Sequence, residues 1–158
     1  VSTKIYDSVL KDSLKNVLII SAPGRGKTTI LRDLAEKITE RTSRNVLICD
    51  ERGEIAACGS LKHADVLSYV DKKQAFSMAL RALRPDVMIT DELSEEDCED
   101  VKRAIRGGAY VAATAHFNGV SALTEAFRGV FDVYVALSDS GTGNIDGLYD
   151  KNLKKIQP

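Results

Sequence analysis

The residues best suited to chemistry lie in one short segment between an apolar run and an amphipathic one. Residues 21–29 read Ser-Ala-Pro-Gly-Arg-Gly-Lys-Thr-Thr. Backbone N–H groups in such a loop, together with a helix N-terminus, form a cradle for phosphate. In this pattern Lys27 reaches the β- and γ-phosphates, the Thr28 hydroxyl ligates magnesium, and Thr29 contacts the α-phosphate. The predicted phosphate-binding residues are Pro23, Gly24, Arg25, Gly26, Lys27, Thr28 and Thr29.

This segment departs from the strict P-loop pattern at one position, because Ser21 stands where the first glycine is expected. A plain strand-to-helix turn is the alternative explanation. However, Gly-Lys-Thr-Thr at 26–29 falls at the junction of a strand and a helix, which is the context that the motif requires. We therefore interpret the segment as a P-loop and predict ATP and magnesium as its ligands.

A second apolar run, Val-Met-Ile-Thr at 87–90, ends in two carboxylates, Asp91 and Glu92. A strand of this form is typical of a Walker B element beside a P-loop. Asp91 is predicted to hold the metal through water, and Glu92 to orient or deprotonate the attacking water. The alternative is that the two acids only cap the helix that follows.

Two other strand ends carry polar residues for which spacing alone leaves two readings open. Glu51 and Glu54 belong to the charged stretch 50–54, which is either a second acidic shell at the site or a solvated loop. His116 follows the fifth apolar run and is either a structural histidine or a sensor of the bound phosphate.

Arg81 and Arg84 lie just before the Walker B run. Each is predicted to neutralise phosphate charge in this subunit or in a neighbouring one. Solvation at the surface is the alternative for either arginine alone.

These residues must be positioned by the elements around them, and strand-like and helix-like patterns alternate along the chain. Apolar runs typical of buried strands occur at 17–20, 46–49, 66–69, 87–90, 111–115 and 133–137. Helical spacing or capping signals occur from Ser2, at 30–38, at 71–83, at 94–106 and at 121–127. A turn at 141–144 predicts that 145–149 folds back as an antiparallel edge. The pattern predicts an α/β fold with a mainly parallel sheet and helices on both faces, whose ligands bind at the carboxyl ends of the strands.

Composition sets further bounds. The 158 residues are 44% hydrophobic and 28% charged, which argues against disorder and against a coiled-coil rod. Because the chain begins at Val1 and enters an amphipathic segment almost at once, we expect residues 1–158 to be a single P-loop ATPase domain cut from a longer chain. The net charge of -1 shows no global basic field, so nucleic acid is not an expected partner.

Cysteine usage and hydropathy indicate the compartment. Cys49, Cys58 and Cys98 are odd in number and lack CxxC spacing, so neither a disulfide framework nor a zinc site is predicted. The longest apolar stretch, near 17–22, is far too short to span a bilayer. We expect a cytoplasmic location.

Together the motifs resemble one family. Ser-Ala-Pro-Gly-Arg-Gly-Lys-Thr-Thr-Ile-Leu-Arg-Asp at 21–33, Cys-Asp-Glu-Arg-Gly-Glu-Ile-Ala-Ala-Cys at 49–58, Asp-Glu at 91–92 and Ala-Thr-Ala-His at 113–116 look like the stage III sporulation protein AA family. That family is similar to the RecA-like secretion ATPases, in which Walker A, acidic box, Walker B and histidine box occur in this order. The resemblance implies that Glu51 and Glu54 are acidic-box residues and that His116 senses the γ-phosphate. The amino-terminal domain of the family lies outside the chain.

The resemblance also implies a function and partners. It implies that the chain is an ATP-hydrolysing motor domain and that the full protein forms a homo-oligomeric, hexameric ring. Such a ring is expected to dock on membrane secretion-complex proteins, peripheral to the inner face of the membrane, and to energise a sporulation channel. Three alternatives are a DNA-associated RecA-like ATPase, a small-molecule P-loop kinase and a scaffold that binds ATP without hydrolysing it. The near-neutral charge disfavours the first, the lack of an arginine-rich lid disfavours the second, and the pair Glu51 and Glu92 disfavours the third.

Overall fold

One sheet organises the part of the chain that the structure describes. The structure is a computed structural model, and it describes residues 2–57, 61 and 63–156, so Cys58 lies outside the described residues. The strands of these ranges form an eight-stranded sheet in the order β3-β2-β4-β5-β1-β6-β7-β8. Their bounds are β1 Val17–Ser21, β2 Val46–Asp50, β3 Ala64–Ser68, β4 Val87–Thr90, β5 Tyr110–His116, β6 Val133–Leu137, β7 Ile145–Asp150 and β8 Lys155–Ile156.

The strand directions match the predicted topology. The pairs among strands β1 to β6 are all parallel, whereas β7 pairs antiparallel with β6 and β8 with β7. The antiparallel edge predicted at 145–149 is therefore confirmed. Strand β8 was not predicted, because a strand of two residues is too short to show a period of two in the sequence.

Four helices cover the sheet within the described residues. They are α1 Ser2–Ile5, extended by a π-helical turn at Tyr6–Leu10; α2 Lys27–Arg41; α3 Lys72–Met78, extended by a π-helical turn at Ala79–Leu83; and α4 Cys98–Arg106, preceded by a 3₁₀ turn at Glu95–Asp97. The predicted caps are present, since the Gln74 N–H donates to the Asp71 side chain and Ser94 forms a capping box with Asp97. The helix predicted at 121–127 is wrong. A 3₁₀ turn at Val120–Ala122 stands there, and the apolar spacing reflects burial of Leu123 and Phe127 in an irregular segment.

The helices lie on both faces of the sheet, as predicted. Ile5 of α1 and Leu31 of α2 pack against Ile19 on one face. Phe76 of α3 and Val101 of α4 pack with Leu18 on the other. Neighbouring residues of β1 thus enter opposite cores, which is why residues 17–20 are all apolar. Cys49 and Cys98 are buried free thiols.

Candidate functional site

The loop between β1 and α2 has the backbone that a phosphate cradle needs. Gly24 and Gly26 both lie in the left-handed region, with φ of 76° and 85°, a conformation that glycine adopts without a Cβ clash. Gly26 caps α2, and its carbonyl accepts from the N–H of Ile30 at 3.0 Å. A Cβ at Gly26 would also lie 3.1 Å from the Thr142 methyl group. Position 26 therefore requires glycine for two independent reasons.

Lys27, the first residue of α2, folds its side chain back over this loop. Its ammonium donates to the carbonyl oxygens of Ser21 at 3.1 Å and Ala22 at 2.9 Å, and to the Ser21 hydroxyl at 3.2 Å. Burial lowers the pKa of Lys27, while the charge of Glu92 acts in the opposite direction. Ser21 thus contributes a hydroxyl ligand for the lysine at the position where the strict pattern has glycine.

His116 connects the lysine to the Walker B acid. The Lys27 ammonium lies 3.0 Å from Nδ1 of His116, and Nε2 of the same ring lies 3.4 Å from Oε1 of Glu92. Because an ammonium can only donate, Nδ1 accepts, and the ring hydrogen is then on Nε2, facing Glu92. The histidine predicted as a sensor therefore lies between the P-loop lysine and the candidate base.

Glu92 is held at both its backbone and its side chain. Its φ is 47°, in the left-handed region that is costly for a residue with a Cβ. Its N–H donates to Oγ1 of Thr114 at 2.8 Å, and its second carboxylate oxygen accepts from the guanidinium of Arg52. Burial tends to raise the pKa of Glu92, but the bonds from Arg52 and His116 outweigh it and lower that pKa.

Asp91, the residue before Glu92 at the end of β4, is fully buried at 0% exposure. Within the described residues neither of its carboxylate oxygens has a hydrogen-bond partner. Burial raises the pKa of Asp91 to about 6, with Lys72 opposing the shift and Asp50 adding to it. A buried carboxylate is costly unless a cation or a donor compensates it. Together with the Thr28 hydroxyl, this acid supplies the oxygen ligands that magnesium prefers, so the residues fit the metal.

The acidic stretch 50–54 is an ordered loop. The buried Asp50 carboxylate accepts from the N–H groups of Glu54 at 2.9 Å and Ala56 at 2.8 Å. Arg32 of α2 closes the loop from the other side, donating to the carbonyl oxygen of Ile55 at 2.8 Å and also to that of Glu54. The backbone of this segment is therefore ordered, while the side chains of Arg52 and Glu54 stay about half exposed.

The two predicted acidic-box glutamates point to different places. Glu54 lines the cavity beside the P-loop and lies 3.3 Å from the Arg52 guanidinium. Glu51 instead accepts from the Lys72 ammonium at 3.0 Å, at the start of α3. The structure therefore places Glu54 beside the P-loop and pairs Glu51 with α3.

A cavity of about 210 Å³ joins the predicted residues at the carboxyl edge of the sheet. It is lined by Gly24, Gly26, Lys27, Thr28, Thr29, Glu54, Glu92 and His116. Pro23 and Arg25 do not line it. Pro23 is exposed, and Arg25 turns to Asp139, with 3.5 Å between the charged groups.

Arg81 and Arg84 lie away from this cavity. Both precede β4, whereas the cavity follows the ends of β1, β4 and β5, so the arginines are at the amino edge of the parallel strands. Both are exposed. Within one chain they do not meet the P-loop, and their predicted role requires a neighbouring subunit.

Sequence reasoning missed Arg52 and Lys72, which bind the carboxylates of the acidic residues, and Arg32, which binds backbone carbonyl oxygens of the acidic loop. Arg52 had a signal, since it sits inside the acidic stretch predicted to face the crevice. Arg32 and Lys72 had none, because their partners lie about 20 residues or more away along the chain.

Comparison with known proteins gives the fold family. The chain is similar to the VirB11 ATPase from the Brucella suis type IV secretion system in complex with sulphate, with a TM-score of 0.75 and 17% identity over 95% of this chain and 54% of that one. It is also similar to a KaiC-like protein from Pyrococcus horikoshii, with a TM-score of 0.61 and 9% identity over 97% of this chain and 87% of that one. The predicted RecA-like P-loop fold is confirmed.

Sequence comparison adds the family. Stage III sporulation protein AA of Bacillus subtilis is 36% identical over 163 residues, covering 90% of this chain and 53% of the relative, so the chain spans about half the length of that protein. The profile described as "Sporulation stage III, protein AA" matches residues 3–156. The chain belongs to the stage III sporulation protein AA family.

Proposed function

We propose that this chain binds ATP with magnesium and hydrolyses it, as the motor domain of a ring-forming ATPase. The observation that carries the proposal is the cavity in which the P-loop residues Lys27 and Thr28 face Glu92 and His116. Next to Glu92 in the chain, the buried Asp91 carboxylate has no hydrogen-bond partner among the described residues. A phosphate cradle and a candidate base on one cavity wall are what phosphoryl transfer to water requires.

Each residue has a part in this reaction. Lys27 exchanges its bonds to the loop carbonyls for the β- and γ-phosphate oxygens, and the loop N–H groups bind the same phosphates. Thr28 directly, and Asp91 through water, would hold magnesium, which would neutralise charge on the phosphates when bound. Glu92 orients the attacking water and accepts its proton.

His116 follows the state of Lys27. When the lysine turns to a phosphate, Nδ1 of His116 loses its donor, and the ring can turn so that Nε2–H exchanges Glu92 for the terminal phosphate. The neutral ring can thus report whether that phosphate is present, which is the sensor role predicted for it.

The motor role rests on more than the cavity. The likeness to the VirB11 ATPase and membership of the sporulation family favour a homo-oligomeric, hexameric ring in the full-length protein, peripheral to a membrane at its cytoplasmic face and contacting secretion-complex proteins. No helix in the described ranges is long and apolar enough to cross a bilayer. Arg81 and Arg84 are exposed and remote from the P-loop of their own chain, so they are the arginines that would contact the phosphates bound by a neighbouring subunit.

Phosphate release and light scattering at several protein concentrations test this proposal. We expect magnesium-dependent binding of ATP and a low turnover per chain. The turnover should rise with protein concentration, because neighbouring subunits then supply arginines to the site. Such arginines contribute roughly 10³ to 10⁵ in rate in related enzymes. Absence of nucleotide binding would overturn the whole proposal. Brisk hydrolysis by a monomer would overturn the ring, and stimulation by DNA would favour a DNA-associated ATPase.

A further inference from the structure

Arg52 has a position that the predicted roles do not explain. Its guanidinium binds Glu92 through one terminal nitrogen and lies 3.3 Å from Glu54 through the other. Both carboxylates line the cavity beside the P-loop. Arg52 therefore bridges the Walker B acid and the acidic loop at the place where phosphate is proposed to bind.

The loop that carries Arg52 is ordered, and the Arg52 side chain is half exposed. Asp50 accepts from the backbone N–H groups of Glu54 and Ala56, and Arg32 donates to two carbonyl oxygens of the same loop. The Arg52 side chain is 51% exposed, so reorienting it costs little buried area. A half-exposed cation on an ordered loop is suited to exchanging one anionic partner for another.

The charges around the cavity give a reason for Arg52 to exchange its carboxylate partners for phosphate. Glu54 and Glu92 are anions that face the space a triphosphate would enter, and they would repel it. Lys27 is the cation that the P-loop supplies, and Arg52 already neutralises both glutamates. A guanidinium presents paired N–H donors whose geometry matches phosphate oxygens as well as carboxylates.

We propose that Arg52 is a second phosphate-binding cation of this chain. When a nucleoside triphosphate binds, the Arg52 guanidinium dissociates from Glu92 and Glu54 and binds the terminal phosphate. Without nucleotide, the two carboxylates bind the guanidinium. Departure of Arg52 also frees the Glu92 oxygen that it occupied, so that this oxygen can accept from the attacking water. The inference rests on the proposed nucleotide binding and adds a residue that distinguishes triphosphate from diphosphate.

The first test compares affinities for a non-hydrolysable ATP analogue and for ADP, each with magnesium. Arg52→Ala should weaken binding of the analogue about tenfold or more, because a charge-assisted bond is lost, and should change ADP binding less than about threefold. Arg52→Lys should recover part of the loss. Arg44→Ala, an exposed arginine near Asp86 at the opposite edge, is the matched control and should bind both ligands as the wild type does.

A second set of variants tests whether Arg52 contacts the phosphate or only neutralises the charges of Glu54 and Glu92. In a chain carrying Glu54→Gln and Glu92→Gln, Arg52→Ala should still weaken binding of the triphosphate analogue several-fold. If the loss disappears in that background, or if ADP and the analogue are weakened equally, Arg52 does not bind the terminal phosphate. If the wild type binds neither ligand, the proposed nucleotide binding itself fails, which is a different result.

Discussion

The ammonium of Lys27 and Nδ1 of His116 lie 3.0 Å apart although 89 residues separate them in the chain. Their closeness follows from the sheet, because β1 and β5 are parallel neighbours in which Ser21 is in register with His116. The P-loop starts where β1 ends, so the last residue of β5 arrives beside it. The strand order thus brings the histidine box and the P-loop together before any ligand is considered.

Replacing Lys27 tests the P-loop. Lys27→Ala should abolish productive nucleotide binding, because a methyl group cannot replace an ammonium at the β- and γ-phosphates. A titration with fluorescent nucleotide measures the effect, and circular dichroism checks the fold. Lys37→Ala, on the same helix but outside the site, is the control. Unchanged affinity in a folded Lys27→Ala chain would refute the P-loop assignment.

Glu92→Gln should separate binding from hydrolysis. The amide keeps the shape of the side chain but removes the charge that accepts a proton, so ATP binding should persist while turnover falls by about a hundredfold or more. Phosphate release from an oligomeric preparation is the measurement. Turnover at the wild-type level would show that the base lies elsewhere, and Glu54, which lines the same cavity, would be the next residue to replace.

Asp91 should make stability depend on pH in a metal-free buffer. Its pKa rises from the ordinary 3.8 to about 6 in the folded chain. Below pH 3.8 the carboxyl is neutral in both states. As pH rises towards 6 it ionises first in the unfolded chain, so the folded state loses stability across that window, by up to roughly 3 kcal/mol.

Asp91→Asn removes this titration. The stability of the variant relative to the wild type should therefore be greater at pH 8 than at pH 4, as measured by urea unfolding with a chelator present. Asp65→Asn, at a more exposed position on β3, should show no comparable change. A pH-independent difference between Asp91→Asn and the wild type would contradict the buried, uncompensated carboxylate.

Asn16 joins three strands and should matter for stability. Its amide Nδ2 donates to Asp132 at 2.9 Å, and its Oδ1 accepts from the N–H of Val111 at 2.9 Å. Asn16→Ala leaves the buried Val111 N–H unpaired, so we expect a loss of about 2 kcal/mol in the free energy of unfolding. Chemical denaturation measures it, with the exposed Asn118→Ala as control. A change below about 0.5 kcal/mol would show that water replaces the amide.

The main elements could be predicted because their signals are local. Buried strands produce continuous apolar runs, and the P-loop and Walker B residues are adjacent in sequence to the strands that position them. The predicted strand runs lie within β1 to β6 or differ from them by a residue or two, and the antiparallel edge is present. Those patterns need no knowledge of distant contacts.

The side-chain pairs of the site could not be predicted for the opposite reason. Arg52 meets Glu92 across 40 residues, and Lys72 meets Glu51 across 21. Asn16 meets Asp132 across 116. The order of the strands in the sheet determines which distant residues meet. The alternation of strands and helices along the sequence does not specify that order. The wrong helix at 121–127 has a related cause, since burial on an irregular segment produced spacing that resembles a helical face.

The position of β1 between β5 and β6 has a consequence for biosynthesis. Both partners of β1 follow it in the chain, and β6 leaves the ribosome roughly a hundred residues after β1, which takes about 5 to 20 seconds at common elongation rates. Until then the P-loop strand β1 lacks one of its two neighbours, since β5 precedes β6 in the chain. A nascent chain therefore completes the sheet around its phosphate cradle only after both β5 and β6 have been synthesised.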